Sequence, residues 1–175
     1  MISENKIRLR AKKLADTSDD YAWQTNPELA KLDAVQPLGI NFARYLASYA
    51  RELRFPSSVR RTFAIETQDG KHIGNCVYYG IDEISGEAEL GIMIGNRDYW
   101  DRGYGTDAVT ALVNHIFNET ELNRVYLKTL YDNHRAQQCF KKGGFVPYEE
   151  TVRNGYRFVL MEINRGQWQE KQAKA

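Results

Sequence analysis

The stretch Tyr99-Trp100-Asp101-Arg102-Gly103-Tyr104-Gly105-Thr106-Asp107-Ala108 joins a strand-like run, Glu87 to Ile94, to a helix-like run that begins near Gly105. Glycines let a backbone turn tightly and approach a ligand closely. The free amides of a first helical turn point outward, and the helix dipole adds positive potential. A glycine turn feeding a helix start is therefore a candidate anion site, and a tight strand-to-helix connection is its bland alternative. Two nucleotide patterns fail on detail. The Walker pattern needs Gly-Lys-Ser/Thr, and no lysine follows these glycines. The dinucleotide pattern tolerates Ala108 but wants an early βαβ unit and an acid about 20 residues on, where Arg124-Val125-Tyr126 stands instead.

Working outward, Glu87 to Ile94 alternates so that Glu87, Glu89, Gly91 and Met93 share one strand face. Upstream, Arg61–Glu66 and His72–Tyr79 read as strands around the turn Gln68-Asp69-Gly70-Lys71. Asp82–Gly86 is a polar turn. Downstream, Ala108, Ala111, Leu112, His115 and Ile116 keep helical spacing to about Glu119. Arg124–Leu130 is β-branched and aromatic, hence a strand. Asn133–Lys142 is helical, and Gly143-Gly144 stops it. Phe145–Val152 and Tyr156–Ile163 flank Arg153-Asn154-Gly155 as a closing hairpin.

Nearer the N-terminus, Lys6–Arg10 alternates as an edge strand would. Asp16-Thr17-Ser18-Asp19 offers helix caps, and Pro27 suits a first helical position after Asn26. Asn41 caps a helix carrying Phe42, Tyr45, Leu46, Tyr49 and Leu53 on one face, and Pro56-Ser57-Ser58 ends it. From about Gln167 the chain reads as a polar tail, so residues 1–166 are expected to form one domain and 167–175 the tail. The order is strand, two helices, three antiparallel strands, helix, strand, helix, two strands: one α/β layer rather than a repeated βαβ wheel.

The 175 residues suit a single core, and 42% hydrophobic with 27% charged residues places the chain among globular proteins. The 24 basic and 23 acidic residues nearly cancel, which removes a long-range pull toward nucleic acid or membrane. There is no apolar run of about 20 residues and no signal-peptide core at Met1–Lys6. Cys76 and Cys139 lie far apart without metal spacing, and neither they nor His72, His115 and His134 predict a metal site. A cytoplasmic location, free thiols and a homodimer are the corresponding expectations.

The order and motifs together resemble the GNAT superfamily of acetyl-CoA-dependent N-acetyltransferases, in particular its branch of ribosomal-protein N-terminal and spermidine acetyltransferases. Ala88-Glu89-Leu90-Gly91-Ile92-Met93-Ile94-Gly95 is similar to the family's splayed fourth strand. Trp100–Gly105 is similar to its pyrophosphate loop. Leu122–Leu127, with Asn133, Ala136 and Lys142-Gly143-Gly144-Phe145, is similar to its fifth strand and following helix. Trp23 and Asn26-Pro27-Glu28 also fit this branch. The resemblance implies an α/β (α+β) fold: a single domain with a mixed, mostly antiparallel twisted sheet, helices on both faces and splayed central strands. Three departures stand out. Trp100 replaces the loop's Gln/Arg. Asp101 stands where a glycine is common, and Asp can adopt the left-handed backbone that glycine favours there. Phe140, next to Cys139, replaces the tyrosine that often serves as general acid.

The resemblance implies acetyl-CoA as donor and coenzyme A as product. Amides of Asp101, Arg102, Gly103, Tyr104, Gly105 and Thr106 would hold the pyrophosphate, with Arg102 adding charge. Backbone groups of Ile92, Met93 and Ile94 would pair with the pantetheine arm, an amide near Met93 would reach the thioester oxygen, and Asn133 and the Phe140 position would contact the cofactor. Glu89 matches the frequent base position; a primary amine is mostly protonated at neutral pH, so a base is needed. For Glu87 a salt-bridged role is expected. Tyr104, Tyr131 or water are candidate acids, and Cys139, near His134, is a candidate acyl-carrying nucleophile. The acceptor, a small-molecule amine or a protein N-terminus, would lie against Trp23, Tyr45, Tyr49 and Tyr156, with Glu28, Asp33 and Glu83 as acids nearby. A non-catalytic acyl-CoA sensor on the same scaffold is the alternative, with Phe140 as its support. Acylation of a hydroxyl or thiol is a third reading.

Overall fold

The structure, a computed structural model, describes residues 2–174. Eight strands form one sheet: β1 (Ile2–Glu4), β2 (Ile7–Ala11), β3 (Arg60–Thr67), β4 (His72–Asp82), β5 (Glu87–Ile94), β6 (Arg124–Leu130), β7 (Val146–Arg153) and β8 (Tyr156–Asn164). Six helices accompany them: α1 (Thr17–Thr25), α2 (Pro27–Leu32), α3 (Phe42–Arg54), α4 (Tyr104–Glu119), α5 (His134–Gly143) and α6 (Arg165–Ala173). The sheet order is β1-β2-β3-β4-β5-β6-β8-β7, antiparallel throughout except for β5 against β6. No helix among the described residues is long and apolar enough to cross a membrane.

Most local expectations hold, and the reasons are visible. Asn26, Asn41 and Asn133 each cap a helix by accepting from backbone amides of the first turn. Gly144 ends α5 in the left-handed conformation, φ +105°. The strand Glu87–Ile94 is reproduced residue for residue.

Four expectations are corrected. Three helices, α1, α2 and α3, stand where two were expected, because Asn26-Pro27 starts a separate helix. Lys6–Arg10 is not an edge strand: its strand starts at Ile7, and the short β1 pairs outside it through Ile2↔Leu9. Asp16 does not cap α1 with its side chain. Its carboxylate accepts the Lys13 amide and both terminal nitrogens of Arg10, because burial demands a charge partner. The stretch read as a polar tail is helix α6. Its Trp168 ring lies 5.4 Å from that of Phe117, and its indole N–H donates to Asn114 at 2.8 Å.

The core sits between one sheet face and α4. Ile7, Leu9, Ile65, Ile73, Cys76, Tyr78, Ala88 and Leu90 meet Ala108, Leu112, Val113 and Ile116, all buried. The opposite face carries Tyr79, Glu89, Gly91 and Met93 and looks toward α1 and α3. Asp20 of α1 is tied to it by the Asn75 amide, at 2.6 Å.

Candidate active site

β5 and β6 pair only at Glu87↔Arg124, Ala88↔Val125 and Glu89↔Tyr126, and then part. From Leu90 onward the β6-facing edge of β5 has no strand partner. The parting opens a cleft of about 1480 Å³. One wall is Glu89 through Ile94, and the other is Lys128–Leu130 with the start of α5. Gly91 keeps the floor open, since a Cβ there would come within 3.2 Å of Val77.

The glycine turn closes one end of the cleft. Asp101 has φ +56° and Gly103 φ +86°, so the turn is built from left-handed residues that lead straight into α4. Such alternation aims backbone amides into a concavity that suits an anion. Gly105 lets α4 and α5 approach closely, because its Cβ would stand 3.3 Å from the Cys139 sulfur. Lys6 braces the turn by donating to the Arg102 carbonyl at 2.7 Å.

The expected binding residues separate into two groups. Ile92, Met93, Ile94, Asp101, Gly103, Gly105, Thr106, Asn133 and Phe140 line the cleft. Arg102 and Tyr104 do not. The Arg102 guanidinium donates to the Asp98 carbonyl at 2.9 Å and lies over the rings of Tyr99 and Tyr104. A cation that does line the cleft is Arg135, from the first turn of α5. Its guanidinium stacks 3.5 Å from the Trp100 ring centre, while the Trp100 indole N–H donates to the Ile94 carbonyl at 2.7 Å. The signal was present in sequence as an arginine two residues past the capping Asn133, but the tryptophan partner was not deducible.

Glu89 faces the cleft with its side chain 16% exposed, 3.1 Å from the Lys128 ammonium. Burial, then the neighbouring Glu89 carboxylate, hold the Tyr79 phenol above its usual range. Tyr79 therefore stays a proton donor near neutral pH. Glu87 has the expected structural role: Arg124 pairs with it at 2.8 Å and with Glu162 at 2.6 Å. Burial raises the Cys139 thiol, which disfavours the thiolate that an acyl-carrying nucleophile needs. Tyr131 is engaged by Arg157, 3.7 Å from its ring centre, and does not line the cleft.

On the acceptor side, Trp23, Tyr45, Tyr49 and Asp33 line the cleft and Tyr156 does not. Glu28 is paired with Arg97, and Glu83 is exposed in its turn. Trp23 lies flat on Gly95, where any Cβ would collide with the indole.

A split sheet with a left-handed anion loop at the mouth of the split defines a class: transferases that bind an extended, phosphate-bearing donor. The model of the acetyltransferase (GNAT) domain matches residues 6–146, and the chain belongs to this family of acetyltransferases. An uncharacterized N-acetyltransferase, p20, of Bacillus licheniformis is 27% identical over 129 residues, covering 73% of this chain and 72% of that protein. Among solved structures, a Vibrio cholerae spermidine N-acetyltransferase in complex with CoA and spermine superposes with a TM-score of 0.85 at 19% identity, covering 94% of this chain and 99% of that one. An aminoglycoside acetyltransferase in complex with coenzyme A gives 0.76 at 20% identity, with 95% and 99% covered.

Proposed function

We propose that this protein moves an acetyl group from acetyl-CoA to a primary amine by direct transfer, with Glu89 as the base. The observation that carries the reading is the parting of β5 from β6 directly after Glu89↔Tyr126. It leaves the β5 edge free to accept an extended ligand beside a carboxylate. The chain's groups fit acetyl-CoA. Amides of Asp101, Gly103, Gly105 and Thr106, the turn residues that line the cleft, hold the pyrophosphate, with Arg135 supplying the nearby positive charge. The free edge at Ile92, Met93 and Ile94 pairs with the pantetheine arm like an added strand, and Asn133 and Phe140 flank it from α5.

Glu89 takes the proton of the acceptor ammonium, directly or through water, and so restores the nucleophilic lone pair. A backbone amide near Met93 stabilises the developing oxyanion, a contribution of roughly 3 kcal/mol per donor. A thiol with a reference pKa near 8.5 leaves readily as thiolate, so the absence of a tyrosine at Phe140 does not stop the reaction. The acceptor is a small-molecule amine or a protein N-terminus entering along Trp23, Tyr45 and Tyr49. The spermidine and aminoglycoside enzymes of similar fold support an amine acceptor.

The first test is thermal unfolding with acetyl-CoA, coenzyme A and ATP. A ligand at about 100 times its dissociation constant adds roughly 2.7 kcal/mol. Stabilisation by the two coenzyme A species and not by ATP is expected, and no shift with acetyl-CoA sinks the proposal. With an amine that turns over, Glu89→Gln should lower the rate by about a hundredfold and flatten its rise with pH. Binding without turnover of any amine returns the sensor alternative.

A further inference from the structure

Lys128 stands on β6 two residues beyond Tyr126, the last residue of β6 paired with β5. It shares a strand face with Tyr126. Carrying the one-to-one register two residues further sets it across the opening from Gly91, between Glu89 and Met93. Its ammonium lies 3.1 Å from Glu89 Oε1, and its side chain is 38% exposed. Lys12 and Lys142 also line the cleft, in different settings. Lys12 is 7% exposed and paired with Asp20 at 2.8 Å. Lys142 sits in the last turn of α5. Of the three, Lys128 alone touches the candidate base.

A primary amine held against the candidate base, on the opening that the functional reading gives to the thioester, has the chemistry of an acceptor. We propose that Lys128 is an internal acetyl acceptor, a self-acetylation site served by acetyl-CoA; this rests on the functional reading above. Glu89 removes a proton from the Lys128 ammonium, and the Nζ lone pair attacks the thioester carbonyl carbon. The C–N bond forms and the C–S bond breaks. The sulfur departs with its electron pair and takes up the second proton, shed by Nζ as the amide forms, giving the coenzyme A thiol; the first passes from Glu89 to water. Lys128 becomes a neutral amide, and Glu89 loses its cationic partner. Self-acetylation therefore changes the charge that an incoming ammonium meets.

The test is intact-mass measurement and peptide mapping of the full chain incubated with acetyl-CoA. One acetyl group should accumulate at Lys128, at a rate per molecule independent of protein concentration. Glu89→Gln, checked for an unchanged melting temperature, should slow labelling by about a hundredfold. Lys128→Arg keeps a cation beside Glu89 and should take no acetyl there. Acetyl groups spread over lysines according to exposure, or Lys128 labelled as fast in Glu89→Gln, overturn the proposal. If acetyl-CoA stabilises the fold and amines turn over while Lys128 stays unmodified, self-acetylation falls and the functional reading stands. If acetyl-CoA gives no stabilisation, both fall.

Discussion

At Trp100 three contacts converge: the indole N–H on the Ile94 carbonyl, the Arg135 guanidinium on the ring, and Arg97 5.3 Å from its centre. One side chain thus ties the anion loop to the end of β5 and holds a cation at the mouth. Cation–π contacts are worth about 0.5–2 kcal/mol, and a hydrogen bond to a charged group about 1.5–3 kcal/mol. Arg135→Ala should therefore weaken coenzyme A binding by about tenfold or more in titration calorimetry. Trp100→Phe, which keeps the stack but loses the N–H bond, should fall between wild type and Trp100→Ala. Unchanged affinity in both Arg135→Ala and Trp100→Ala would remove the pair from the site. The left-handed backbone at Asp101 was legible through the family resemblance, which puts a glycine at that position, and Asp tolerates the same backbone. The turning of Arg102 onto Tyr99 and Tyr104, and of Arg135 onto Trp100, was not. Chain position places a backbone, but the direction of a long side chain depends on which rings and carbonyls other elements bring beside it.

Elements were legible where period or punctuation marked them, as in β5, α4 and α5. β1 was missed because three residues are too few to display a period. α6 was missed because its surface is polar and its anchorage comes from one ring and from long polar side chains, Arg165, Lys171 and Gln172, that reach to α4 and α5. The place of β8 between β6 and β7 is a long-range choice with no local signal. Arg165 shows what α6 does. Its guanidinium donates to the carbonyls of Phe117, at 2.6 Å, Thr120, at 2.6 Å, and Leu122, at 2.7 Å, so the first residue of α6 caps the end of α4. Arg165→Ala should cost about 2 kcal/mol in urea unfolding, since several buried carbonyls lose their donor. An unchanged midpoint would make α6 ornamental after all. Where α5 crosses α4, a Cβ on Gly143 would stand 2.6 Å from Val109 Cγ1. Gly143→Ala should destabilise by about 1–3 kcal/mol through overpacking alone, and pairing it with Val109→Ala should recover much of the loss.

Over the whole molecule, Arg10 joins β2, β3 and the approach to α1. It donates to Asp16 through two nitrogens at 2.8 Å and to Glu66 at 2.5 Å. Burial alone would raise the Asp16 carboxyl. The hydrogen bonds from Arg10 and the Lys13 amide, with the charge of Lys12, outweigh it and bring the value to about 2, against an ordinary 3.8. A depressed carboxyl stabilises the fold above its unfolded value and loses that contribution as pH falls through the folded one. About 2 kcal/mol of stability should therefore disappear between roughly pH 4 and pH 2. Asp16→Asn should be less stable at neutral pH by about 3 kcal/mol and should show a shallower decline across that window. An equally steep decline in the variant would place the acid sensitivity elsewhere.

A sheet ordinarily has two free margins, and here β1 and β7 form them. The separation of β5 from β6 creates two more in the middle, facing each other. Unpaired margins invite other chains to add strands and so to aggregate. These lie at the bottom of a recess between α5 on one side and α1 and α3 on the other, where one slender chain can be admitted and the rim of a second sheet cannot. A narrow ligand can therefore take up the unpaired groups of these edges, which another sheet cannot reach.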